Sequence, residues 1–92
     1  MTNDEAVLNS TPALSAMFRL QWEEVQQAWV LLYPEGMVKL NGSAGEIIKR
    51  LDGKKNVTAL IAELEKDFET TGLQQDVLSF LDIAKQQGWV KA

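Results

Sequence analysis

The chain has 92 residues, of which 46% are hydrophobic and 24% charged, a content that suits one small globular domain without room for a catalytic cleft and a separate substrate lobe. Cysteine and histidine are both absent, which excludes disulfides, thiolate nucleophiles, the usual zinc sites and imidazole acid–base chemistry. A formal net charge of −4 argues against nucleic acid as a partner, because phosphate binding needs clustered Lys and Arg.

Residues 1–16 carry Asp4 and Glu5 where a secretion signal needs basic residues, and they contain no sustained apolar run. They are predicted to be a mobile tail on a cytoplasmic protein, with the folded domain spanning 17–92. No stretch approaches the roughly 20 apolar residues of a membrane helix, and no internal repeat is present.

Phe18, Leu20 and Trp22 alternate with Arg19 and Gln21, the period of a strand with one buried face. A second strand is predicted from Ala28 to Tyr33, where the continuous apolar run Trp29-Val30-Leu31-Leu32 points to a central position. In Tyr33-Pro34-Glu35-Gly36 the proline presets φ and Gly36 can supply a positive φ, which predicts a type I turn with a bulge. A third strand, Met37 to Leu40, closes the meander. Being short and last, it can leave unpaired backbone groups on a sheet edge.

Three helices are predicted next. Ser43 and Glu46 form a capping-box pattern, and Ala44, Ile47, Ile48 and Leu51 share one face. In the second helix Val57, Leu60, Ile61, Leu64 and Phe68 are the apolar set, with Thr58 as N-cap and Val57 as a staple residue before it. The third runs from about Leu73 to Gln87 and stops at Gly88, after which Trp89-Val90 adds a short strand or covers the core. Three antiparallel strands followed by a three-helix bundle make an α+β domain of the winged-helix type.

Some clusters admit two readings. Leu73, Val77, Phe80, Leu81 and Ala84 form an arc on the third helix, with Leu78 and Ile83 on opposite flanks; the flanks either pack internally or line a groove beside the third strand. Lys49, Arg50, Lys54 and Lys55 concentrate positive charge, either to complement a helix dipole or as a docking patch for an acidic partner. Glu63, Glu65, Asp67 and Glu69 form a solvated face without metal-ligand spacing. Ser43 beside Gly42 and Gly45 reads as a cap, since no nucleotide-binding fingerprint follows. Trp22, Trp29 and Trp89 serve as core or rim residues, or as an interface.

Phe18-Arg19-Leu20-Gln21-Trp22-Glu23, the stretch from Leu31 through Ile48 and the ending Gly88-Trp89-Val90 resemble the PqqD family, small peptide-binding proteins of pyrroloquinoline quinone (PQQ) biosynthesis. The most specific string is Leu31-Leu32-Tyr33-Pro34-Glu35-Gly36, closely followed by Lys39-Leu40-Asn41-Gly42-Ser43-Ala44. With the helices between them, these stretches cover nearly everything from residue 17 onward. The resemblance implies the same winged-helix architecture. It also implies a protein that binds a ribosomally made precursor peptide, whose Glu and Tyr become the cofactor skeleton. The peptide is then presented to a radical S-adenosylmethionine enzyme that joins those two side chains. In the wider class of precursor-recognition domains, the leader pairs with the third strand and lies against the third helix. By position, Met37, Val38, Lys39 and Leu40 form the strand side, and Val77, Leu78, Leu81 and Lys85 the helix side. No catalytic residue, cofactor or metal is expected, and the protein is a monomer or homodimer.

A winged-helix DNA binder is the alternative, but its third helix would offer Lys85 against Asp76 and Asp82, the wrong balance for phosphate. A small enzyme using Tyr33 and a carboxylate lacks the convergent titratable groups of an active site.

Overall fold

The structure, a computed structural model, describes residues 3–91. Residues 1, 2 and 92, the outermost positions of the predicted tail and domain, lie outside the described residues. In chain order the elements are α1 (Asn3–Asn9), β1 (Ala13–Leu14), β2 (Arg19–Glu23), β3 (Ala28–Tyr33), β4 (Gly36–Lys39), α2 (Gly42–Lys49), α3 (Val57–Asp67), α4 (Gln74–Gln86) and β5 (Val90–Lys91).

The α+β class and the antiparallel meander β2-β3-β4 are as the sequence predicts. Alternation places Leu20, Leu31 and Val38 opposite one another on the inner face, where Leu31 and Leu40 pack with Ala44 and Ile48 of α2. The β3–β4 turn is tighter than expected. Tyr33 pairs directly with Gly36, so Pro34 and Glu35 form a two-residue connection without a bulge, and Gly36 takes φ 157°, an angle that residues with side chains rarely adopt.

The helices have the predicted apolar faces but different caps. Asn41 caps α2, its Oδ1 accepting from the Ala44 N–H at 2.8 Å, and Asn56 caps α3 by accepting from Ala59 at 2.8 Å. Ser43 and Thr58 lie inside the helices they were expected to cap, because an asparagine two positions earlier serves equally well. Ile47, Val57, Leu60, Ile61, Leu64, Val77, Leu78 and Leu81 form the helical core. Phe80 and Leu51 pack against both this core and the sheet cluster, joining the two layers.

The N-terminal segment departs from the predicted mobile tail. Val7 and Leu8 of α1 pack on the helical core, the Thr58 hydroxyl donates to the Leu8 carbonyl, and Val57 N–H donates to the Ser10 carbonyl at 3.1 Å. β1 then pairs antiparallel with β5, Ala13 opposite Lys91 and Leu14 opposite Val90.

Candidate functional site

β4 is an outer strand of the meander, and no described strand pairs with its far side. Leu40 donates its N–H to the Trp29 carbonyl at 2.9 Å, and bonded positions alternate along an antiparallel strand. Val38 therefore turns its backbone groups toward β3, whereas Met37 and Lys39 turn theirs outward. Side chains alternate in the perpendicular sense: Val38 packs against the sheet cluster, and Met37 and Lys39 lie on the exposed face. The edge thus offers two sets of outward backbone donors and acceptors beside an apolar inner face.

The predicted helix side is distributed differently from the strand side. Val77, Leu78 and Leu81 are buried in the helical core, Leu78 being 6% exposed. Leu78, Leu81 and Lys85 border a groove of about 470 Å³ whose opposite wall includes Ala6, Val7 and Ser10 of the α1 segment. Val77 borders a second, mainly apolar cleft of about 360 Å³ with Ile47, Leu64, Phe68 and Leu73. Neither opening has a β4 residue in its wall. Phe80 is the α4 residue that, like Val38, packs against the sheet cluster, and one turn later Ile83 stands 52% exposed. Ile83 occupies the flank of the arc opposite Leu78, so periodicity marked both flanks without deciding which was covered.

Three of the four basic residues are paired inside the protein, and Lys54 makes no ion pair among the described residues. Arg50 bonds Glu46 at 2.7 Å, Glu63 at 3.1 Å and Asp67 at 2.8 Å, and its side chain is 11% exposed. Lys55 pairs with Glu63 at 3.0 Å and Lys49 with Glu46 at 3.4 Å. The hydrogen bond from Arg50 holds the Glu46 carboxyl below its ordinary value, outweighing its partial desolvation, with Lys49 adding to the effect. Backbone N–H groups of Lys55 and Lys54 likewise hold the Asp52 carboxyl low. The cluster ties the end of α2 to α3, so its positive charge is mostly matched internally.

A family model described as Coenzyme PQQ synthesis protein D (PqqD) matches residues 28–90. The chain belongs to the PqqD family. Among its relatives, a protein of Azotobacter vinelandii called PqqA binding protein is 47% identical over 88 residues, 95% of this chain and 96% of the relative. One of the same name from Pseudomonas aeruginosa is 51% identical over 85 residues, covering 91% and 92%. The solution NMR structure of the PqqD truncation of Methylobacterium extorquens PqqCD superimposes with a TM-score of 0.76 at 26% identity, over 96% of this chain and 99% of that one. That protein is described as a functional, stand-alone recognition element for ribosomally synthesized and post-translationally modified peptides.

Within this PqqD-family domain no group of three or more Asp or Glu residues could hold a metal ion, and no helix is long and apolar enough to cross a membrane, among the described residues. α4 carries Asp76 and Asp82 against Lys85, a face unsuited to a phosphate backbone.

Proposed function

We propose that this protein binds the PQQ precursor peptide by strand addition to β4 and holds it for a radical S-adenosylmethionine enzyme, without performing chemistry itself. The observation that carries this reading is the open β4 edge in a member of the PqqD family: outward backbone groups at Met37 and Lys39 supply affinity to any extended peptide, and the side chains beside them supply selectivity. Relatives at 47% and 51% identity bear the name PqqA binding protein, which supports the same ligand here.

A peptide strand beside β4 turns every second side chain toward the inner face, next to Val38. On α4 we assign the facing apolar surface to Phe80 and the exposed Ile83, because Val77, Leu78 and Leu81 are already packed in the core. Holding the peptide raises its effective concentration at the enzyme, which is how a protein without catalytic groups accelerates a reaction. Titration of the precursor peptide into labelled protein, followed by NMR, tests this. Amide shifts should concentrate at Met37–Leu40 and around Phe80 and Ile83; shifts confined to the α1–α4 groove would overturn the placement.

A further inference from the structure

The meander has a second outer strand, β2, and no described strand pairs with its far side either. The bond from Leu40 to Trp29 turns the Trp29 backbone toward β4, so Ala28, Val30 and Leu32 turn theirs toward Glu23, Gln21 and Arg19 of β2. Leu20 and Trp22 therefore point their backbone groups outward, away from β3. Their side chains lie on the helix-facing side, Leu20 against the sheet cluster and Trp22 edge-on to Trp29 with ring centroids 5.3 Å apart. Arg19, Gln21 and Glu23 lie on the opposite face.

This edge carries unmatched charge and unmatched apolar surface. Among the described residues neither Arg19 nor Glu23 forms an ion pair, and Glu23 accepts from Gln21 Nε2 of its own strand. Large apolar side chains stand exposed along it: Met17 at 61% before the strand, Trp22 at 42% within it and Val25 at 95% after it. The order Arg19-Leu20-Gln21-Trp22-Glu23 is cationic, apolar, polar, apolar, anionic. Reversed, it is its own complement.

We infer that the β2 edge is a self-recognition surface, where a second copy of this chain pairs antiparallel about a two-fold axis through Gln21. In that register Leu20 faces Trp22 of the second copy, so the outward backbone groups meet in bonded pairs on both sides of the axis. Arg19 faces Glu23 of the second copy and Glu23 faces its Arg19, each at a cross-strand separation that lets opposite charges interact. Continued past the strand ends, the register carries Met17 toward Val25 of the second copy. One operation thus matches both charges and gathers the exposed apolar residues, the self-complementarity that a closed two-fold contact requires. Centring on Leu20 or Trp22 instead would set Gln21 opposite Arg19 or Glu23.

The remaining charges nearby are compatible with this pairing. Glu24, held by Trp22 Nε1 at 3.0 Å and Gln27 Nε2 at 3.1 Å, adds negative charge beside Glu23, where Arg19 of the second copy arrives. Lys49 stands over Trp29 on the helix-facing side and is paired with Glu46 at 3.4 Å. Lys39 belongs to β4, which has no such match: a two-fold axis through Val38 would set Lys39 against Met37, and an edge lysine opposes pairing between copies. The joined sheet runs β4-β3-β2-β2-β3-β4, with a β4 edge open at each end.

Sedimentation equilibrium of the full chain, from micromolar to millimolar concentration, reads the balance of monomer and dimer, with thermal melting as the check on folding. Wild type should dimerise within that range. Arg19→Glu and Glu23→Arg each place like charges in both facing pairs and should weaken the dimer at least tenfold. An equal mixture of the two variants, or both substitutions in one chain, restores opposite charges and should return association to near wild type. Val25→Asp, at a position with no packing to lose in the monomer, should weaken the dimer as well. Wild-type protein that stays monomeric at millimolar concentration overturns the inference. So does a dimer indifferent to both charge reversals, or one that the mixture of folded variants fails to restore. Precursor peptide should leave the dimer in place; dissociation by the peptide would assign the β2 edge to peptide binding and overturn the inference too.

Discussion

The indole of Trp29 lies against the bare α-carbon of Gly45: a methyl group placed there would meet Trp29 Cδ1 at 2.2 Å, Cγ at 2.6 Å and Cβ at 2.8 Å. This approach seats α2 directly on β3, with Lys49 Nζ 5.9 Å from the Trp29 ring centroid. Gly45→Ala should therefore destabilise the domain despite alanine's better helix propensity, by about 2 kcal/mol or more, lowering Tm by about 10 °C. Gly42→Ala, with nothing within 4 Å of the added carbon, is the matched control and should melt at or above wild type. Thermal melting by circular dichroism compares the two.

Proline substitutions test the direction of the β4 backbone. Val38→Pro deletes a donor that faces β3 and should destabilise the sheet, whereas Lys39→Pro deletes one that faces outward and should leave the fold intact. If the peptide pairs with this edge, Lys39→Pro loses about tenfold or more in affinity. Calorimetry on folded Lys39→Pro returning wild-type affinity would remove strand addition at β4.

The two flanks of α4 should respond oppositely to charge. Leu78→Glu buries a carboxylate in the helical core and should cost about 3 kcal/mol or more, read as a large fall in Tm. Ile83→Glu, on the exposed flank, should melt near wild type and weaken peptide binding. Unchanged binding by Ile83→Glu would confine the peptide contact to β4.

Acid should loosen the tie between α2 and α3. The folded Glu46 carboxyl sits below its ordinary value of 4.5, so its contribution is fully present above that pH and is lost as pH falls through the lower folded value. Glu46→Gln should cost up to about 1 kcal/mol at neutral pH, with the difference from wild type shrinking as pH drops below 4.5. Urea denaturation across pH 3 to 7, about the range of the carboxylate titration, measures it.

The meander and the three later helices were legible because their signals are local: Pro34 and Gly36 mark a turn, and the spacing of Leu60, Ile61 and Leu64 fixes a helical face. Asn41 and Ser43 both offer a capping oxygen within three residues, and only the backbone path selects Asn41. The edge position of β4 could be read from chain order, because the last strand of a meander has a neighbour on one side only. The helix half of the candidate site could not. Whether Leu78 or Ile83 is covered depends on the packing of helices distant in sequence, and Val7 and Leu8 join that core from a segment with no sustained apolar run. For the same reason β1 was missed, since two residues show no periodicity and acquire their strand geometry from a partner at the other end of the sequence.

That pairing also sets an order of events. The ladder of Ala13 with Lys91 and Leu14 with Val90, continued by Ser15 N–H to the Trp89 carbonyl at 2.8 Å, closes almost the whole chain into one loop with very few bonds. Its entropy of closure is repaid only after the intervening layers have assembled, so the latch forms late in folding and is the first part to fray in the native state. Its amides should exchange with solvent well ahead of those at Val30 and Leu31. Each such opening leaves the α1 segment held to the domain by its short packing face and its hydrogen bonds to Val57 and Thr58.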